Sequence, residues 1–238
     1  RLHDSVVIGK NVTIEKNVTL GPFTIIENNV KIKSGSAIGS NCFIGHGTTI
    51  GHNTTIMSNV NLYSLVKIGS NCIIHSGSVI GADGYGFYTH KDMHYKIPQN
   101  GKVNVGNDVE IGANCTIDRG TIDDTLIGDM CKFDNGVQIG HNVEIGKGCL
   151  LTAHVTIAGS SKIGDFCIFG GQSGAIDHVT IGDRAIFACY TVAMKDLPGG
   201  KTYSGSPARE IKDKNRRDET FAEVKILTIK IKKVESEY

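Results

Sequence analysis

The segment Val7–Gly39, VIGKNVTIEKNVTLGPFTIIENNVKIKSGSAIG, places an aliphatic residue at every sixth position: Ile8, Ile14, Leu20, Ile26, Ile32 and Ile38. The series continues through Ile44, Ile50, Ile56, Leu62, Ile68, Ile74 and Ile80. The next residue is often glycine, as at Gly9, Gly21, Gly39, Gly45, Gly51, Gly69 and Gly81. The residue four after the aliphatic is small or β-branched, from Val12 and Val18 to Cys72 and Ser78. A period of six fits neither a helix of 3.6 residues per turn nor a heptad. It fits a short strand and a turn, repeated. The aliphatic and the small residue two before the next aliphatic then face one interior, by the period-2 alternation of a strand. Hexads of this kind are a mark of the parallel β-helix. The expected fold is therefore an all-β solenoid: a left-handed parallel β-helix, three hexads to a triangular coil. With coils about 4.8 Å apart, some eight coils make a prism roughly 40 Å long.

The phase breaks after Gly81, resumes at Val105, Ile111 and Ile117, and slips again near Asp123 and Asp124. From Ile127 it runs unbroken through Phe133, Ile139, Ile145, Leu151, Ile157, Ile163, Phe169, Ala175 and Ile181 to Phe187. The longest interruption, residues 82–104, gathers Tyr85, Phe87, Tyr88 and Tyr95 in a chain with only 6% aromatic residues. A long loop in a compact array is usually functional or disordered, and its rings and Pro98 favour order. It is expected to protrude and either pack on the prism or a neighbouring chain, or touch substrate. The organisation expected is a coil over 1–197 and a linker with a short C-terminal α-helical tail over 198–238. Phe221, Val224, Ile226, Leu227 and Ile229 offer an imperfect apolar stripe on that tail. Arg209 to Arg217 hold five basic and two acidic residues, which suit either a solvated cap or a docking patch for an acidic partner.

The composition closes off several classes of function. A net charge of +1 gives no global field directed at nucleic acid or membrane. No run of apolar residues is long enough to span a bilayer, and the first residues lack an apolar signal-peptide core. Six of the seven cysteines, Cys42, Cys72, Cys115, Cys131, Cys149 and Cys167, occupy the small inward position, where Cys acts as a small hydrophobe. No CxxC pair exists, and buried reduced thiols suit a cytoplasmic compartment. No two histidines are five residues apart, as a γ-carbonic-anhydrase zinc site needs, so no metal is expected. The flat arrays of one residue type found in ice-binding coils are also missing.

Among nine histidines, His141 stands out by its company. Asp134 lies seven residues upstream, Gln138 and Asn142 flank it, and His154 and His178 follow in later coils. An imidazole can take a proton near neutral pH, and a nearby carboxylate can orient it. Spacing alone leaves open whether Asp134 reaches His141.

Five segments carry a specific resemblance: GADGYGF (81–87), KIPQNGKVNVGNDVEIGANCTIDRG (96–120), DDTLIGD (123–129), DNGVQIGHNVEIG (134–146) and AGSSKIGDFCIFGGQSGAIDHVTIGD (158–183). With the repeats before them, they cover nearly the whole chain. The chain resembles the UDP-3-O-(3-hydroxyacyl)glucosamine N-acyltransferases of lipid A synthesis. The resemblance implies transfer of a (3R)-hydroxyacyl chain from the phosphopantetheine thioester of acyl carrier protein to the 2-amino group of a UDP-linked 3-O-acylglucosamine. It implies no permanently bound cofactor, and a homotrimer with its sites in clefts between prisms. His141 matches the catalytic base and Asp134 its supporting carboxylate. Gly159 matches the backbone N–H that holds the oxyanion. His178 matches a histidine near the substrate phosphates, Met194 a contact to the carrier's prosthetic arm, and Gln138 and Asn142 join them as substrate-binding candidates. The family's N-terminal uridine-binding domain has no counterpart here, so the chain reads as a fragment or a shortened form. The nearest rival is another amino-sugar acyltransferase on the same coil with a different donor, such as acetyl-CoA.

Overall fold

The computed structural model describes residues 2–235, with side chains described through Ile231. Each hexad forms a two-residue strand and a four-residue corner, and the strands stack in parallel into three faces. The first face has ten strands, from Val7–Ile8 to Val192–Ala193. The second has nine, from Thr13–Ile14 to Thr180–Ile181, and the third has eleven, starting at Thr19–Leu20. The fold expected from the six-residue period, a parallel β-helix with a helical tail, is the one found. It runs to about ten coils rather than eight, or about 48 Å at strand spacing. The two phase slips interrupt the count of hexads but not the coil.

The interior follows the pattern. Every repeat aliphatic from Leu20 to Ile80 is buried, as are all six inward cysteines. Phe169 and Phe187 stack in adjacent coils, with ring centroids 4.4 Å apart. Corners are tight because the third residue after the aliphatic takes a left-handed backbone. Asparagine is common there, as at Asn11, Asn17, Asn29, Asn41, Asn53 and Asn142, since its short polar side chain tolerates that region best among non-glycines. Glycine right after the aliphatic answers a different need. A Cβ on Gly21 would stand 2.7 Å from the backbone of Gly39 in the next coil.

A second rule governs the corners. The amide of the second residue after the aliphatic is often capped by the side chain one coil above. Lys10 donates to Asn28, Ser40 to Ser58, His52 to Ser70, Ala113 to Asn135, Lys147 to Asp165 and Asp165 to Asp183, at 2.6–3.1 Å. These bonds satisfy donors that a tight corner would otherwise strand.

Both phase slips fall at one edge, between the first and second faces. The strand Val79–Asp83 leads into an antiparallel hairpin, Phe87–His90 with Met93–Lys96, before the coil resumes at Val103–Val105. The hairpin turns at Lys91 and Asp92, both at positive φ, as a type I′ turn requires. Tyr88 and Tyr95 stack across it at 5.1 Å. One coil on, Thr116–Arg119 leads through residues 120–124 to Thr125–Ile127. Ile117 pairs with Ile139, so this coil holds 22 residues instead of 18.

The third face continues past Leu197, where Thr202–Ser204 adds in parallel to Ile186–Phe187. The helix α1, Ile211–Glu235, makes its main contacts with the strands Thr202–Ser204 and Arg209–Glu210. The expected apolar stripe does not form: Phe221, Val224, Ile226, Leu227 and Ile229 are all exposed. At 100° per residue they are scattered around the helix axis. Residues 236–238, expected to end the helix, lie outside the described residues.

Candidate active site

Directly above the two slips, at the same edge, sits His141. Strand Gln138–Ile139 positions it, and Asn142 fixes its ring. Asn142 Nδ2 donates to the Asp123 carbonyl at 2.9 Å, and Asn142 Oδ1 accepts the Thr121 N–H at 2.9 Å. These two bonds fix the amide's orientation, so the atom 3.0 Å from His141 Nδ1 is an acceptor. A neutral His141 therefore carries its proton on Nδ1 and leaves the Nε2 lone pair free. The insertion at 120–124 supplies both anchors of Asn142, which gives that slip a local purpose.

Nε2 faces Gly159, one coil above. A Cβ on Gly159 would stand 2.6 Å from Nε2. At this corner the capping rule fails: Gly159 occupies the capping position and has no side chain to offer the His141 amide. Among the described residues, neither the His141 nor the Gly159 N–H meets an acceptor. The histidine thus has open space beside its basic nitrogen and two open backbone donors nearby. From below, Gly84 of the GADGYGF segment presses on the ring; a Cβ there would lie 2.5 Å from His141 Cβ.

His141 and Gly159 line an open cleft of about 380 Å³ with Tyr85, Asp118, Gln138, Gly140, Thr156, Ile157, Ala158 and Asp177. Tyr85 is 85% exposed and packs against Phe87 at 5.2 Å. Hence the base of the aromatic hairpin reaches the site while its tip stands free. Gln138 accepts from Thr116 Oγ1 and donates through Nε2 to Asp118 Oδ2 at 3.0 Å. Burial pushes the Asp118 carboxyl up to about 6, against the Gln138 bond and the nearby His141 ring, with the Asp83 charge adding to the rise.

The sequence candidates divide in space. His141, Gln138 and Gly159 line the cleft, and Asn142 braces it from behind. His178 and Met194 lie on the same edge in higher coils. The His178 amide donates to Gly159 O at 3.0 Å, its ring is exposed, and Met194 is 52% exposed. Asp134 lies elsewhere. It follows Lys132–Phe133 of the third face, at the opposite end of strand Gln138–Ile139 from His141, and its carboxylate caps the Asn135 N–H at 2.7 Å. Within one chain the carboxylates sharing the cleft wall with His141 are Asp118 and Asp177, and the sequence reading singled out neither. The IDRG segment was in view, but the four-residue slip after it hides that Asp118 comes directly below Gly140.

Comparison with known proteins fits this geometry. A model described as bacterial transferase hexapeptide matches residues 5–40, 47–82 and 124–159, and one for the hexapeptide repeat of succinyl-transferase matches 23–64 and 102–140. The UDP-3-O-acylglucosamine N-acyltransferase of Methylobacterium nodulans is 46% identical over 133 residues, which are 56% of this chain and 38% of that protein. The enzyme of the same name from Campylobacter curvus is 46% identical over 127 residues, 53% of this chain and 40% of that protein. The chain thus spans about two fifths of the curated relatives it matches. Among solved structures, UDP-N-acetylglucosamine O-acyltransferase from Moraxella catarrhalis aligns with a TM-score of 0.70 at 27% identity, covering 91% of this chain and 77% of that one. The Arabidopsis UDP-N-acetylglucosamine acyltransferase, at 24% identity and a TM-score of 0.71, shares the fold. By repeat, fold and matched sequence, the chain is similar to the bacterial hexapeptide-repeat transferases, the UDP-3-O-acylglucosamine N-acyltransferases among them.

Proposed function

We propose that this chain carries the acyl-transfer centre of an N-acyltransferase that moves a (3R)-hydroxyacyl group from acyl carrier protein to the 2-amino group of UDP-3-O-acylglucosamine, in lipid A biosynthesis. The observation that carries the reading is the free Nε2 of His141 facing open space below the Gly159 amide. Nε2 acts as general base on the acceptor nitrogen. The nitrogen attacks the thioester carbonyl, and the Gly159 N–H stabilises the oxyanion as it develops. A C–N bond forms and the C–S bond breaks. An acceptor that starts as ammonium gives up two protons: one reaches the departing sulfur from the His141 imidazolium, and the other goes to solvent. The chain's own groups supply all of this, with the phosphopantetheine arm arriving on the donor.

The reading includes a homotrimer. The second face presents Lys31, Lys67, Glu144 and Lys162 outward, as a solvated face does. The third face exposes Leu150, Ile168 and Ile186 in successive coils, a stripe suited to a neighbouring prism. Asp134, matched by resemblance to the carboxylate that supports the base, sits on a different edge from His141. It could fill that role only from an adjacent copy, and a cleft between prisms would provide one. Arg209, Lys212 and Arg217 form no ion pair among the described residues, whereas Lys214 and Arg216 pair with Asp218 and Asp213. These cations suit an acidic carrier protein. His178 and Met194, higher on the edge, take the substrate phosphates and the prosthetic arm. Among the described residues no helix is long and apolar enough to cross a membrane, and buried reduced thiols agree with a cytoplasmic enzyme.

The test is a mass-spectrometric transfer assay on the chain with its native flanking sequence, offering hydroxyacyl carrier protein or acetyl-CoA as donor and UDP-3-O-acylglucosamine as acceptor. Amide product from the carrier protein alone supports the proposal. Product from acetyl-CoA alone would move the chain to the rival amino-sugar acyltransferases.

A further inference from the structure

Of the two carboxylates lining the cleft, Asp177 sits on an exposed corner and Asp118 on a strand. The strand is unusually well fixed. Thr116 and Ile117 pair with Gln138 and Ile139 above, and Asp118 and Arg119 pair with Ala82 and Asp83 below. Gln138 is oriented by Thr116, so its amide N–H₂ meets Asp118 Oδ2. The cations that could neutralise Asp118 are engaged elsewhere. Arg119 donates to the carbonyls of Gly81 and Ser64 at 2.7 and 2.9 Å, and Lys96 pairs with Asp83 at 2.5 Å. Among the described residues Asp118 has no ion-pair partner, and its Oδ1 accepts no hydrogen bond. A half-buried carboxylate without a counter-charge is unfavourable unless something cationic arrives. It shares the wall of one small cleft with the basic nitrogen of His141.

We propose that Asp118 binds the ammonium group of the acceptor and presents its nitrogen to His141 Nε2. The assignment rests on the acyl-transfer reading and adds to it the residue that selects an amine over a hydroxyl. A hydroxyl acceptor brings no charge to offset the carboxylate, whereas an ammonium brings both charge and up to three donors. The solved structures that share the fold include enzymes named as O-acyltransferases, so one coil serves both acceptor types and needs a local selector. Asp118 acts through ground-state binding and orientation; the proton still leaves through His141.

The test compares wild type with Asp118→Asn and Asp118→Glu, each with native flanking sequence, binding UDP-3-O-acylglucosamine and its 2-hydroxy counterpart in calorimetry. Steady-state transfer is measured in parallel. Wild type should prefer the amine by about tenfold or more, the worth of one charge-assisted contact. Asp118→Asn should weaken amine binding to the level of the hydroxyl analogue, leave the analogue unchanged, and raise KM more than it lowers kcat. Asp118→Glu should recover part of the preference. A folded Asp118→Asn protein that keeps the preference, or weakens both ligands equally, overturns the assignment while leaving acyl transfer standing. A wild type that acylates no amino sugar while its carrier-bound donor is intact overturns the acyl-transfer reading, and the assignment with it.

Discussion

Gly159 lies directly over the imidazole of His141, so close that a Cβ there would stand 2.6 Å from Nε2. One missing side chain does three things. It opens space beside the base, leaves the His141 amide without the cap that the corner amides of Lys147 and Asp165 receive, and exposes its own N–H. Gly159→Ala should therefore fold and lose activity. We expect kcat to fall by about 100-fold or more, the usual worth of an obstructed base or a lost oxyanion donor. The loss of thermal stability should be modest, because φ at this position lies outside the left-handed range and the added Cβ meets only the end of the His141 side chain, which must swing aside. Steady-state kinetics beside a melting curve checks both halves.

Asn142 separates orientation from backbone strain. It holds a left-handed conformation (φ 59°) and carries the acceptor for His141 Nδ1. Asn142→Gly keeps the backbone at ease and removes the acceptor. Activity should drop about 10- to 100-fold from a loosened imidazole, with the fold intact by circular dichroism. Nitrogen NMR of the ring should show the Nδ1–H form losing its dominance.

Much of this was legible in sequence. The six-residue series from Ile8 to Ile80 fixes the coil, the inward cysteines fix which face is core, and His141 is marked by its polar neighbours. What stayed hidden depends on contact across coils. Asp118 and Asn142's anchors are separated from His141 by an insertion that breaks the count, so their stacking cannot be read from spacing. The tail forms the expected helix, but its apolar stripe does not, for the opposite reason: Phe221, Val224, Ile226, Leu227 and Ile229 are near one another in sequence, yet at helical spacing they point in several directions.

Asp118 should make the protein less stable above pH 6 than an asparagine would. Its folded-state pKa, about 6, is above the ordinary 3.8. The folded state therefore binds the proton more tightly, and ionisation costs stability as pH rises from 3.8 through 6. Asp118→Asn should raise Tm at pH 7.5, and the gain should fade as pH drops below 6 toward 4. Melting curves at several pH values give the answer directly.

The core should behave as a stack of nearest neighbours. Leu62 is fully buried three coils below Ile139. Leu62→Ala should cost about 2–5 kcal/mol in denaturant unfolding. Because each coil touches only its neighbours, kcat measured well below Tm should stay within about twofold of wild type. A large kcat loss in a folded Leu62→Ala protein would show long-range coupling along the prism that this account lacks.

The most direct test is the rate of hydroxyacyl transfer by His141→Ala against wild type, both with native flanking sequence, at saturating carrier-bound donor and UDP-3-O-acylglucosamine. The account predicts a robust wild-type rate and a loss of about 100-fold or more in the variant, with unchanged melting, as expected for removal of a general base. A folded His141→Ala protein that transfers within a fewfold of wild type would contradict it, because no other residue lining the cleft offers an imidazole for that proton.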